Sequence, residues 1–252
     1  MTSSTAHCFR LKNWAAWAPG LPDAESWLAW ARGERQIGVD GEPAVAAMPP
    51  MLRRRAQRFG RIALESLYAL PDDTSPIVFA SRHGEVPRSV ELLQSLASSG
   101  EVSPQSFSMA VHNATAGLFT IASKQVVNVT AIAAGRDSAL AGIVEALGLL
   151  ADGANSVRLI LCDAPLPEIY ADFAAANSSA DAAPYSCVLA LMRGDDFSLQ
   201  TQAGVHLDNN EPGLALLRFM LGTATTQALS DGWQLVRNES TPFIHPAVYA
   251  GN

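Results

Sequence analysis

Apolar residues change their spacing several times along this chain, and each change marks a predicted element. Residues 8–18 alternate in character, as a half-buried strand does, and run into a tryptophan-rich segment from Trp14 to Trp30. Residues 33–50 hold several Gly and Pro but few bulky apolar side chains, which predicts a loop. Leu52, Ala56, Phe59, Ala63, Leu67 and Leu70 then recur at helical spacing, so a helix is predicted over 52–70, stopped by Pro71-Asp72-Asp73. The run 76–81 (PIVFAS) is continuously apolar, the mark of a strand covered on both faces. Arg82-His83-Gly84-Glu85 is a loop, and a helix follows over 86–98. Next come a long helix over 108–124, a strand over 126–133, a helix over 137–150 and another predominantly apolar strand over 157–162, interrupted by Arg158. A small-residue loop, 174–184, precedes a predicted β-hairpin with arms 185–192 and 197–203 about a Gly194-Asp195-Asp196 turn. A helix over 212–229 and an irregular end complete the pattern.

Strands alternating with helical crossovers predict an α/β fold with a mainly parallel mixed sheet and helices on both faces. There is no internal repeat and no linker, so residues 1–252 are expected to form a single domain, with 194–252 as a C-terminal extension. A hydrophobic fraction of 48% and a charged fraction of 16% suit a well-packed core. The net charge of −7 excludes a general nucleic-acid binder, because phosphate binding needs dense Lys/Arg surfaces. The one basic run is local: Arg53, Arg54, Arg55, Arg58 and Arg61. No uncharged apolar run reaches the roughly 18–20 residues that span a bilayer, and the N-terminus lacks the apolar core of a secretory signal. The three cysteines, Cys8, Cys162 and Cys187, are scattered without metal-ligand spacing, and two lie in apolar runs as core residues do. A cytoplasmic protein without metal or other cofactor is expected.

Ser103-Pro104, then Asn113-Ala114-Thr115-Ala116-Gly117, then a strand, a tight corner and a small-residue helix resemble the central part of β-ketoacyl synthases of the thiolase-like superfamily. Three strings together, SRHGE at 81–85, AVHNA at 110–114 and AAGRDS at 133–138, resemble a truncated subfamily: the β-ketoacyl synthase-like chain-length factors of aryl polyene and related pathways. The resemblance covers roughly residues 9–192 and implies the N-terminal half of a ketosynthase. In complete ketosynthases the corner holds the nucleophilic cysteine, which works as a thiolate at a helix N-terminus. Here that position falls at Arg136, beside Gly135, and a guanidinium cannot attack a thioester. The histidines of the family's second half have no counterpart in these 252 residues. The resemblance therefore implies a non-catalytic subunit that forms a heterodimer with a full-length ketosynthase. It places the 108–124 helix and the 126–133 strand at the dimer interface. Phe107, Met109 and Ile132, with His112, Asn113 and Ala133, are the candidates for closing the partner's acyl tunnel or meeting the partner. The acyl carrier protein would be reached through the partner.

Plainer readings stand beside these. Met109 and Phe119 at helical spacing fit a core, and His112 among small apolar residues fits a buried, hydrogen-bonded histidine. The arginine run fits a solvated helix face, or a contact for an acidic carrier protein. One alternative function is a stand-alone thioester hydrolase or acyltransferase using His83 with Ser81 or Ser108, although no G-x-S-x-G elbow supports it. Another is a purely structural homodimer.

Overall fold

Asp23 sets the first helix boundary. Its carboxylate accepts a hydrogen bond from the Ser26 amide at 2.8 Å, while the Asp23 amide donates to Ser26 Oγ at 3.2 Å, a reciprocal cap. That cap separates β1 (His7–Trp17) from α1 (Ala24–Ala31). The computed structural model describes residues 7–70, 74–177 and 183–238. The expected 52–70 helix is instead a short turn, α2 (Pro50–Arg53), followed by α3 (Arg58–Ala69). Between them the carbonyls of Arg55 and Ala56 accept from the Arg88 and Arg61 side chains rather than from helix amides. The Pro71-Asp72-Asp73 stop lies outside the described residues.

β2 (Ile77–Ala80) is buried on both faces, as expected, and α4 (Val86–Ser99) ends on Gly100. The long helix expected over 108–124 is broken into α5 (Pro104–Ser108) and α6 (Ala114–Ser123). β3 is confined to Val129–Ile132, and α7 (Ser138–Ala151) and β4 (Ser156–Asp163) follow where expected. After the short α8 (Ala171–Asn177) comes β5 (Tyr185–Thr201), one strand and not a hairpin. Gly194-Asp195-Asp196 is a bulge within it. β1 runs alongside throughout, its register jumping from Phe9↔Phe197 to Arg10↔Met192. Arg10 bonds the buried Asp196 carboxylate at 3.0 Å. A Cβ at position 194 would stand 2.5 Å from Arg10 Cβ, so only glycine lets the strands approach there.

The expected helix over 212–229 is also shorter. α9 (Pro212–Leu221) stops at the extended Gly222, and a hairpin of β6 (Thr226–Ser230) and β7 (Trp233–Arg237) takes the rest. Its two-residue Asp231-Gly232 turn is a signal the helical spacing had masked.

Among the described residues, seven strands form one mixed sheet ordered β3-β2-β4-β5-β7-β6, with β1 also paired to β5. Parallel pairing is confined to β3-β2-β4; the remaining pairs, β4–β5, β1–β5, β5–β7 and β6–β7, are antiparallel. The sheet is thus mixed but less parallel than the sequence pattern implied, because β5 continues as one strand and recruits both β1 and the C-terminal hairpin. Helices cover both faces. Side chains alternate between two cores: Val78, Leu159, Leu161, Cys187 and Leu189 pack with α1, α7 and α9, while Ile77, Phe79, Ile160, Cys162 and Val188 pack with α3 and α6. The 194–238 segment belongs to the first core through Phe197, Leu217, Phe219 and Leu235.

Candidate functional site

The carboxyl ends of the parallel strands β2, β3 and β4 lie side by side, and such an edge is where open α/β sheets place their ligands. Three segments meet there: the 81–85 loop after β2, the 133–138 corner after β3, and Asp163 at the end of β4. The corner is a single 3₁₀ turn, Gly135–Asp137, tied down by Ser138. The Ser138 hydroxyl donates to Gly135 O at 2.7 Å and accepts from the Ala134 amide at 3.1 Å. Gly135 is exposed with φ +59°. Arg136 in this corner turns its guanidinium onto the C-terminal segment, with Nη2 donating to the carbonyls of Asp208 at 2.6 Å and Asn210 at 3.3 Å.

Behind the corner the space is closed. Arg82 and Glu211 form an ion pair at 3.5 Å with side chains only 9% and 8% exposed, and Tyr185 Oη donates to the same Glu211 carboxylate at 3.3 Å. Asp163 accepts from Ser81 Oγ and from the amides of Arg82 and His83, all within 3.0–3.3 Å. Burial and the neighbouring Glu211 push the Asp163 carboxyl up to about 7, against the pull of those donors. The void lined by Arg82, Arg136, Asp163, Tyr185 and Glu211 is about 10 Å³, the lower limit for one water molecule. An acyl group or pantetheine arm does not fit there. Asp163, Tyr185 and Glu211 were not singled out from the sequence; a carboxylate directly after an apolar strand was the available signal.

The two buried cysteines offer no substitute thiolate. Cys162 and Cys187 are fully buried core residues, as expected, and burial raises both thiols, Cys187 to about 12. The His83 hydrolase reading also loses its nucleophile. Ser81 is 0% exposed and committed to Asp163, and Ser108 donates to Gln105 O. Desolvation first, then Arg82, lowers the His83 pKa, and its ring meets Phe173 edge-on at 6.5 Å.

The tunnel and interface candidates lie around the break between α5 and α6. Phe107 is 63% exposed, Asn113 and Ala133 are exposed, and Ile132 is half-buried. Met109 is 8% exposed and joins the second core. His112 is half-buried, and its Nε2 lies 2.9 Å from Ile132 O. Among the described residues β3 is paired on one side only, to β2, and Val111, Ile121 and Val126 nearby are exposed, Val126 to 99%. The arginine run is divided between elements rather than carried on one helix face: Arg53 ends α2, Arg54 and Arg55 form the turn after it, and Arg58 and Arg61 open α3; Arg53 reaches the carbonyls of Ala44 and Val45, and Arg58 pairs with Glu42 at 2.8 Å. Arg54, Arg58 and Arg61 border a cleft of about 600 Å³. Among the described residues no His, Cys, Asp and Glu cluster could hold a metal, and no helix is long and apolar enough to cross a membrane.

The family described as "Beta-ketoacyl synthase, N-terminal domain" matches residues 27–238. No curated protein matches the sequence. Among solved structures, the chain is similar to a chain of "Ketosynthase (ApeO) in Complex with its Chain Length Factor (ApeC) from Xenorhabdus doucetiae", with TM-score 0.78 and 28% identity over 91% of this chain and 99% of that one. It is similar in fold to the ishigamide ketosynthase/chain length factor, with TM-score 0.60 and 15% identity over 79% of this chain and 68% of that one. A like match is the AntDE:AntF complex, a type II PKS acyl-carrier protein with its ketosynthase, at TM-score 0.60 and 12% identity over 77% and 69%. The fold is the thiolase-like α/β fold of these proteins.

Proposed function

This chain belongs to the β-ketoacyl synthase N-terminal-domain family, and from that footing we propose that it is a chain-length-factor-type subunit. In this reading it has no condensing activity of its own, pairs with a complete ketosynthase and bounds the partner's acyl tunnel. One observation carries the proposal: the corner after β3, where the resemblance puts the nucleophile, holds Arg136, latched to the carbonyls of Asp208 and Asn210 beside a void of about 10 Å³. A thiolate attack needs a thiol; the corner has none, and the space behind it would hold no more than one water molecule.

Further support comes from the likeness to a chain of the ApeO–ApeC complex over 99% of that chain's length. The free edge of β3 and the exposed apolar side chains Phe107, Val111, Ile121 and Val126 form a surface suited to a protein partner. In the proposed pair, Phe107, Met109, Ile132 and His112, with Asn113 and Ala133, stand where this chain meets the partner and its growing acyl chain. The carrier protein delivers to the partner's thiol.

Co-expression with a ketosynthase from the same gene neighbourhood tests this. The expected product is a one-to-one complex that elongates an acyl chain, while the isolated chain turns over no acyl thioester. A stable monomer that ignores every such ketosynthase, or thioester turnover by the isolated chain that is lost in His83→Ala, would overturn it.

A further inference from the structure

We propose that His112 is a positioning residue: it fixes the 107–113 segment against the end of β3 and thereby sets the acyl-chain limit without touching the chain. The inference rests on the tunnel-bounding role proposed above.

Three segments meet at one carbonyl oxygen, that of Ile132, the last residue of β3. It accepts from the Ser81 amide at 3.1 Å, which ends the β2–β3 ladder, and lies 2.9 Å from His112 Nε2. A carbonyl only accepts, so Nε2 carries the proton and His112 is its donor. The other ring nitrogen faces Gly84, where a Cβ would stand 2.6 Å from Nδ1. Gly84 has φ +58°, a left-handed conformation that favours glycine, and its amide donates to Ser81 Oγ at 2.8 Å. Phe79 of β2 closes the third side, edge-on to the imidazole at 5.8 Å. One residue further, Glu85 accepts from Thr115 Oγ1 in the first turn of α6 at 3.2 Å. The imidazole is thus held on three sides by groups that are themselves anchored to the sheet.

What it holds is the break between α5 and α6. The apolar spacing of 108–124 is continuous and by itself predicts one helix. The break instead leaves Phe107 63% exposed while Met109 sinks to 8%. Among the described residues, no side chain of 107–113 other than His112 hydrogen-bonds to the sheet; Ser108 bonds only locally, to Gln105 O. The position of Phe107 relative to β3 therefore passes through one hydrogen bond. Losing it lets the segment drift while every apolar contact of Met109 remains.

The test uses the heterodimer and reads product length. His112→Leu keeps the volume and removes the donor; His112→Gln keeps a donor amide at similar reach; His112→Asn keeps polarity but falls short of Ile132 O. Leu and Asn variants are expected to shift products to longer chains by at least about one extension unit, with Gln retaining the wild-type length. In the isolated chain, hydrogen exchange at 107–113 should rise about tenfold for Leu and Asn but not for Gln. If Leu fails to fold, the Gln–Asn pair decides. Unchanged products and exchange in Asn and Leu, with Phe107→Ala shifting the length, overturn this inference alone. Unchanged products in Phe107→Ala as well, with exchange raised in the His112 variants, overturn the tunnel-bounding role instead.

Discussion

The far end of β3 and its outer edge have been treated in opposite ways. At the far end, where the strand turns into α7, charged and polar side chains fill the space: Arg136 on two carbonyls, Arg82 on Glu211, and Asp163 beneath them. Along the outer edge, the backbone has no neighbouring strand among the described residues, and Phe107, Val111, Ile121 and Val126 face outward. A sealed polar pocket adds little net stability, since desolvating its charges offsets most of their attraction, but it does fix one arrangement. An exposed apolar edge does the reverse: it weakens solubility and favours association. One strand therefore ends in a closed polar cluster and runs along an open apolar edge, the contrast on which the proposed role as a non-catalytic subunit rests.

The comparison breaks most readily at the buried ion pair. Arg82→Met leaves Glu211 and Asp163 facing each other without their cation, and the expected loss is about 3–5 kcal/mol in denaturant unfolding. A loss below about 1 kcal/mol would mean that the pocket is hydrated and not sealed.

The pH dependence is the next largest effect. Asp163 holds its proton up to about 7 in the folded chain, against 3.8 for an ordinary aspartate. Between those values the folded state binds more protons than the unfolded one, so stability falls as pH rises. The contribution is complete below about pH 4 and lost as pH climbs through 7, on the order of 4 kcal/mol in all at about 1.4 kcal/mol per unit. The groups facing Asp163 are Ser81, Arg82, His83, Tyr185 and Glu211. Asp163→Asn should flatten the difference curve between pH 4 and 7; parallel curves for the two proteins would show a carboxylate ionised throughout.

The open edge is tested by substitutions that the monomer does not feel. Val126→Asp and Ile121→Asp alter exposed positions and should leave unfolding within about 0.5 kcal/mol of wild type. Affinity for the ketosynthase should fall at least about tenfold, or roughly 1.4 kcal/mol, because a charge would be buried in an apolar contact. Wild-type affinity in a titration would move the interface away from β3 and α6.

Much of the sealed end was legible in the sequence, and little of the open one. Predominantly apolar runs placed β2 and β4, because strands buried on both faces leave few polar positions to confuse the pattern; in β4 the buried Arg158 interrupts the run. The corner between β3 and α7 was readable because the AAGRDS string marks the turn from strand to helix. The clamp over it was not, because Tyr185 and Glu211 reach Arg82 and Asp163 from 22 or more residues away in the chain. Periodicity failed where tertiary contacts outweigh local preference. The spacing of 108–124 is helical throughout, yet His112, Gly84 and Ile132 hold the chain out of the helix. At Gly194 the turn-like composition serves a bulge, since β1 pairs with β5 on both sides of it, β4 pairs up to Met192 and β7 pairs from Phe197 onward. The break most relevant to the proposed tunnel was therefore invisible for a physical reason: one hydrogen bond and one close approach decide it, and neither has a period.

The smallest expected effect separates a latch from a relic. Arg136 is half-buried, and its bonds to Asp208 and Asn210 lie near solvent, so Arg136→Ala should cost only about 1 kcal/mol. The same change should raise hydrogen exchange in residues 206–211, since their anchor to the corner would be gone. Arg136→Cys carries the argument further, because it returns a thiol to the family's nucleophile position. Room is the other requirement, and the void of about 10 Å³ stays closed while Arg82, Tyr185 and Glu211 keep their places. An acyl thioester should therefore not acylate the Arg136→Cys chain at a rate above that of wild type. Rapid acylation, read as a mass increase confined to the peptide that carries the introduced thiol, would show that one substitution had closed the site and that the polar clamp behind it is incidental.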